Sequence, residues 1–258
     1  MPARGSILIT ARSGHCYLSH IGYSAAANRT PMKKQQIDPY EIPNYTIEES
    51  SRYLHVLPEK IAYWVVGNSI AVPLSTVYTR GPILLSFKNL VECFVLESLR
   101  KIHGVSLQSI RDSVARLRLA RSSKYPLADY DLHTERGRLI YLDEDGKTLT
   151  CLSKSGQMVF REMVLPFLKR VERNEQGIAR RLFPFTRREH LRTPTTAPRF
   201  VVIDPKVSFG MPVLVNSRIS TAFLLSRKNG GASIPELAAD YGRPPAEIEE
   251  AIRLEETA

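Results

Sequence analysis

Apolar positions recur at helical spacing in two short runs, first Ile47, Tyr53 and Leu54, then Ile61, Trp64 and Val65. Thr46 followed by Glu49 is the pattern of a capping box, in which hydroxyl and carboxylate satisfy reciprocal backbone donors at a helix start. Pro58 suits the first position of the second helix, where a missing N–H costs nothing. With His55, Val56 and Leu57 as the turn, the pattern predicts a helix-turn-helix. Ile61, Trp64 and Val65 face inward, and Glu59, Lys60, Ala62 and Tyr63 face outward, where a recognition helix presents side chains to base edges and phosphates. Residues 68 to 85 carry no helical period. Pro73, Gly81 and Pro82 separate the β-prone runs 75–79 and 83–85, which is the pattern of a wing. Ser86 then caps a helix through Leu90, Val91, Phe94, Val95, Leu99 and Ile102, stopped at Gly104. Ser106 starts another, with Leu107, Ile110, Val114 and Leu117 inside.

Farther along, Arg138 to Leu142 and Thr148 to Leu152 flank Asp143-Glu-Asp-Gly-Lys147, and Asp-Gly between β-prone runs predicts a hairpin. Those acids are therefore read as a turn, since a calcium loop spaces its oxygen ligands at longer intervals. A helix follows, with Met158, Val159, Met163, Val164, Phe167 and Leu168 on one face. Between Gly177 and Arg192, five arginines interleave with Leu182, Phe183 and Phe185, as in a phosphate-binding run or a solvated sheet edge. Thr193 to Pro198 reads as an extended linker. Then come a strand at Phe200 to Ile203, a bend at Gly210 and Pro212, a second strand at Val213 to Val215, and three helices. Gly230-Gly231 and Gly242 punctuate them, Ser233 caps the second, and Pro244-Pro245 opens the third. Ser233 to Leu254 has the geometry of a second helix-turn-helix. Its last helix carries Glu247, Glu249 and Glu250, which favours a dimerisation or partner role over DNA reading.

Charge sharpens this picture. Lys and Arg number 36 against 26 Asp and Glu, a formal +10, which favours polyanionic partners. From Arg100 to Arg121, six basic residues (Arg100, Lys101, Arg111, Arg116, Arg118 and Arg121) stand against Asp112 alone, a phosphate-tracking face or a solvated one. The final segment is acidic and a poor phosphate binder. Apolar stretches are broken by charge or proline well short of the roughly 18 residues that cross a bilayer. Cys16, Cys93 and Cys151 are too few and too separated for a disulfide framework or a zinc site, and the thiols fit a reducing cytoplasm. His15 and His20 lack a third ligand, so neither a metal nor a cofactor is expected. Residues 1–37 are expected to form a disordered basic arm, and Met32 is an expected alternative translation start.

Catalysis needs partners gathered in a pocket. The chain has no glycine-rich phosphate loop, no Gly-x-Ser-x-Gly elbow and no His-Glu-x-x-His helix, and its six histidines are scattered. An enzyme is not expected.

Helix-turn-helix, wing and two further helices over residues 45 to about 120, with Gly104-Val-Ser-Leu-Gln-Ser-Ile-Arg111, resemble the MerR-like winged-helix DNA-binding family. Ala62 departs from the arginine often found on that family's recognition helix, and His55 from its common turn glycine. The C-terminal segment resembles a small domain found in bacterial type II antitoxins encoded beside PIN-like ribonuclease toxins. The matching positions are Asp204, Pro205, Gly210, Pro212, Arg218, Ile219, Gly231, Ala238 and Tyr241. It departs at Met211, usually arginine, and at Asn216-Ser217, usually Gly-Thr. Together the two modules resemble the longer VapB-like antitoxins.

The sequence thus predicts a mainly helical α+β protein. It comprises the arm (1–37), a winged-helix DNA-binding domain (40–122), a middle α+β domain (123–192) and a C-terminal helix-turn-helix-like module (198–258). The resemblance implies a cytoplasmic homodimer that represses its own operon and neutralises a PIN-like ribonuclease toxin. The residues expected to contact operator DNA are Lys60, Tyr63, Arg80, Arg111 and Arg116, whereas the toxin-binding residues are not identified by the sequence. The alternative is a ligand-sensing MerR-like transcription regulator, with the middle domain as sensor.

Overall fold

Thr46 starts the first helix as its spacing predicts: its Oγ1 accepts from the Glu49 backbone N–H at 3.1 Å, and Glu49 returns a carboxylate to the Thr46 N–H at 2.8 Å. The computed structural model describes residues 38–67, 75, 81–103, 107–129, 132–135, 138–142, 149–151 and 167–256. Helix α1 (Ile47–Leu54) turns into α2 (Pro58–Val66), and then come α3 (Phe87–His103), α4 (Leu107–Arg121) and α5 (Pro126–Asp129). Strands β1 (Leu132–Glu135), β2 (Arg138–Leu142) and β3 (Leu149–Cys151) form an antiparallel sheet in that order. Ile140 pairs with Cys151 and Leu142 with Leu149, the register of the expected hairpin. Two antiparallel pairs follow, β4 (Val171–Arg173) with β5 (Ala179–Leu182) and β6 (Val201–Val202) with β7 (Val213–Leu214). Helices α6 (Thr221–Asn229), α7 (Ile234–Tyr241) and α8 (Pro245–Glu256) close the chain. The architecture is mainly helical with small antiparallel sheets. Most of the expected wing and of the helix expected at 158–168 lies outside the described residues, as do the arm and the loop from Asp143 to Thr148.

Helix α3 is the interior element. Leu90, Val91, Cys93, Val95, Leu96 and Leu99 are all fully buried, and so is Glu92. A helix apolar on most of its circumference must be surrounded. It is covered by α1, α2 and α5, and by an aromatic cluster in which Phe94 stacks on Phe185 at 6.1 Å and Phe185 meets Phe167 at 5.1 Å. The same hydrophobic cluster runs on to Leu224, Ile248, Ala251 and Leu254. Packing therefore crosses the sequence boundaries drawn near residues 122 and 198.

Polar contacts fasten the two ends of this core. Tyr45 and Leu85 exchange backbone hydrogen bonds, joining the chain just before α1 to the chain just before α3, and the Tyr45 hydroxyl donates to the Gly210 carbonyl at 2.7 Å. Gly210 has φ +81°, and a Cβ built there lies 2.5 Å from that hydroxyl, so this position takes no side chain. Arg52 of α1 pairs with Glu255 of α8 at 3.4 Å. The threonine-proline segment before residue 199 is pinned rather than free. Thr196 and Ala197 donate back to the Thr193 carbonyl, and the Ala197 and Pro198 carbonyls accept from buried Arg170.

Candidate nucleic-acid interface

Ile61, Trp64 and Val65 of α2 are buried as their spacing predicts, which sets the orientation of the helix. Glu59 is exposed, whereas Lys60, Ala62 and Tyr63 are half-buried. Lys60 reaches across to α3, where its ammonium pairs with Glu97 and lies 5.2 Å over the Trp64 ring. Tyr63 accepts a hydrogen bond from the Arg111 guanidinium at 2.8 Å, and the same guanidinium lies 5.2 Å from the ring centroid. The structure therefore brings Tyr63 and Arg111 together and ties Lys60 to Glu97. The outward projection expected of Lys60 and Tyr63 is only partial, because α3 and α4 supply each with an intramolecular partner. Arg116 lies on α4, and Arg80 lies outside the described residues.

The turn before α2 explains one departure noted in the sequence. His55 adopts the left-handed conformation (φ 53°, ψ 38°) that closes α1, where glycine would be free of strain. Its ring is buried, and Nε2 donates to the Phe185 carbonyl at 2.7 Å. Glycine could take this backbone shape but could not make that bond. The Ser51 hydroxyl donates to the Val56 carbonyl at 2.6 Å, further fixing the turn. Leu57, at the N-terminus of α2, gives the helix no side-chain cap.

Beside this turn lies a cleft of about 390 Å³ lined by His55, Val56, Leu57, Lys60, Glu97, Arg100 and Arg188. Arg100 comes from the end of α3, and Arg188 opens a short 3-10 turn far along the chain. Each sits in one of the basic runs visible in the sequence, but nothing in their spacing announced that the runs meet.

A second groove, of about 330 Å³, lies at the β6–β7 pair. Phe183, Val202, Val207, Val213 and Val215 give it apolar walls, and Arg181, Asp204 and Arg218 mark its rim. Arg181 is committed to Asp204 at 3.0 Å. Nearby in sequence, Phe209 is 90 % exposed with φ 55°, held in that shape by a bond from the Asn44 amide to its carbonyl at 2.7 Å. Left-handed backbone at a bulky residue is costly and persists where the surroundings hold it. Among the described residues no group of His, Cys, Asp and Glu could hold a metal ion, and no helix is long and apolar enough to cross a membrane.

Residues 201–253 match a family described as "Protein of unknown function (DUF433)", and this match lies within the C-terminal segment that carries the antitoxin-type resemblance. The chain is 28 % identical to a Mycobacterium tuberculosis (strain ATCC 25618 / H37Rv) protein named "Putative antitoxin VapB45", an alignment covering 83 % of this chain and 94 % of that one. It is also similar to the crystal structure of Rv2018 from Mycobacterium tuberculosis, with a TM-score of 0.59 and 27 % identity over 83 % of this chain and 99 % of that chain. The antitoxin-named relative is thus matched along nearly its full length, by the helices of the N-terminal half as well as by the C-terminal module.

Proposed function

We propose that this protein is the antitoxin of a type II toxin-antitoxin system, neutralising a PIN-like ribonuclease toxin and repressing its own operon as a DNA-binding homodimer. The observation that carries this reading is the near full-length similarity to a protein named as an antitoxin. Composition agrees with the DNA half of it, since a chain of formal charge +10 suits a polyanionic operator. In this reading α1 and α2 are the helix-turn-helix of a MerR-like winged-helix domain, with Arg80 on the wing. The C-terminal module, matched as a family of its own, holds the toxin.

Co-expression with the product of the adjacent gene tests the first half. Growth rescue and co-purification are expected, and a neighbour whose expression is harmless, or which leaves this protein behind on the column, rules the antitoxin role out. Deleting residues 198–258 is a poor way to map the toxin surface, because α8 packs on α1 and the deletion opens the shared core. Phe209→Ser and Phe223→Ser are cleaner probes, since both rings are exposed.

For DNA, Lys60→Ala combined with Tyr63→Ala is expected to weaken binding to operator and random duplex alike. Phosphate-directed side chains position a protein without reading sequence, and removing one of them makes the salt slope shallower by about one. Filter-binding titrations across salt concentrations measure this. Unchanged affinity and slope in the double variant remove α2 from the interface.

A further inference from the structure

We propose that the cleft beside the α1–α2 turn is a binding site for a phosphoryl group. Three cations from three separate parts of the chain converge on it: Lys60 from α2, Arg100 from the end of α3, and Arg188 from the 3-10 turn after β5. Its one carboxylate, Glu97, is committed to Lys60. Arg100 and Arg188 have no ion pair or hydrogen bond among the described residues. Arg188 is exposed and Arg100 half-buried where they line the cleft, and neither brings the fold a bond among the described residues, so a ligand is the partner their placement suits.

The chemistry of the walls narrows the ligand to a compact anion. A guanidinium offers planar paired donors that match phosphate oxygens, and two of them, beside a Lys60 already paired with Glu97, suit a doubly charged group better than a single carboxylate. Leu57 leaves the N-terminus of α2 without a side-chain cap at the cleft wall, so the partial positive charge of the helix end adds to the field. About 390 Å³ holds a phosphate and its remaining water but not a base pair. The floor is rigid, because His55 binds the Phe185 carbonyl and so links the α2 turn to the segment that carries Arg188.

The phosphoryl group can belong to a duplex backbone or to a free phosphorylated molecule. The first source rests on the repressor reading above, but the site itself does not. The experiment compares the full-length wild type with the variant Arg100→Gln/Arg188→Gln, which leaves the Lys60–Glu97 pair in place. One arm follows the midpoint of thermal unfolding with inorganic phosphate against chloride at matched ionic strength. Wild type is expected to gain more from phosphate than the variant does. The other arm measures duplex DNA binding across salt concentrations, where the variant is expected to show a slope shallower by about one. A phosphate response confined to wild type, with identical DNA slopes, supports the site and identifies a free phosphate as its source. Equal phosphate responses together with equal DNA slopes overturn the proposal, and DNA binding that persists in that case leaves the repressor reading standing.

Discussion

Arg170→Met is expected to destabilise the folded protein by about 3–5 kcal/mol, enough to unfold an ordinary domain near its margin. Arg170 is 1 % exposed, and its guanidinium lies 4.1 Å over the Phe185 ring. Nε donates to the Phe183 carbonyl at 2.8 Å, Nη1 to Ala197 at 3.2 Å, and Nη2 to Pro184 at 3.0 Å and Pro198 at 2.8 Å. Burial pushes its pKa down to about 10, with the like charge of Arg199 acting in the same direction, so the group stays protonated at neutral pH. Methionine restores the packing volume and removes the cost of burying a charge, but it leaves four carbonyls without their donor. Each buried acceptor left unpaired costs roughly 1–3 kcal/mol, which outweighs the relief. Equilibrium unfolding in urea measures the difference. Arg170→Lys recovers only part of it, because a single ammonium cannot span four carbonyls as a fork does. A loss below about 1 kcal/mol for the methionine variant contradicts the role given to this residue.

The second large effect concerns pH. Glu92 is fully buried in α3, its carboxyl 2.5 Å from the Ser75 hydroxyl and 3.2 Å from the Leu127 backbone N–H. Desolvation raises its pKa from 4.5 to about 8, against the opposing pull of those two hydrogen bonds and of Arg118. Folded chains therefore keep a proton that unfolded chains release above about pH 4.5. The stability this confers is complete below the unfolded value and drains away as pH rises through about 8. Over that window the loss is on the order of a few kcal/mol, since each unit of pKa difference is worth about 1.4 kcal/mol. Glu92→Gln removes the titration while keeping the acceptor for Leu127. The variant is expected to match wild type near pH 5 and to be more stable by about 2–4 kcal/mol near pH 9. Parallel stability curves for the two proteins from pH 5 to pH 9 contradict the assignment.

Both residues bear on function through the fold. Arg170 fixes the segment between Phe183 and Pro198, and that segment carries Arg188 into the cleft and offers the Phe185 carbonyl to His55. Glu92 joins α3 to α5 and to Ser75, one of the described residues within the expected wing. In the proposed repressor, loss of either shifts the surface that meets DNA without touching a DNA-facing side chain.

Several elements were legible in the sequence because their signals are local. The capping boxes at Thr46 and Ser233, Pro58 at a helix start and Gly242 in the left-handed cap all appear where the spacing put them. So does the β2–β3 register around the Asp-Gly loop. Such signals are satisfied within a few residues of themselves, and distant packing has little power to override them. The inward set Ile61, Trp64 and Val65 followed from helical period alone.

Where each cation goes could not be read that way. Lys60 and Tyr63 occupy the outer half of α2 as the period requires, yet Glu97 and Arg111 claim them only because α3 and α4 are folded against that face. Arg188 joins Lys60 and Arg100 across more than eighty intervening residues, a meeting that no local pattern encodes. Arg170 stood in a stretch with no distinctive motif and is nevertheless the most heavily bonded buried cation described. Secondary structure is chosen by short-range backbone chemistry, so the sequence alone determined the helices, their caps and the hairpin. The pairing of charges and the shape of the cleft depend on which elements share a core, and tertiary packing alone decided that.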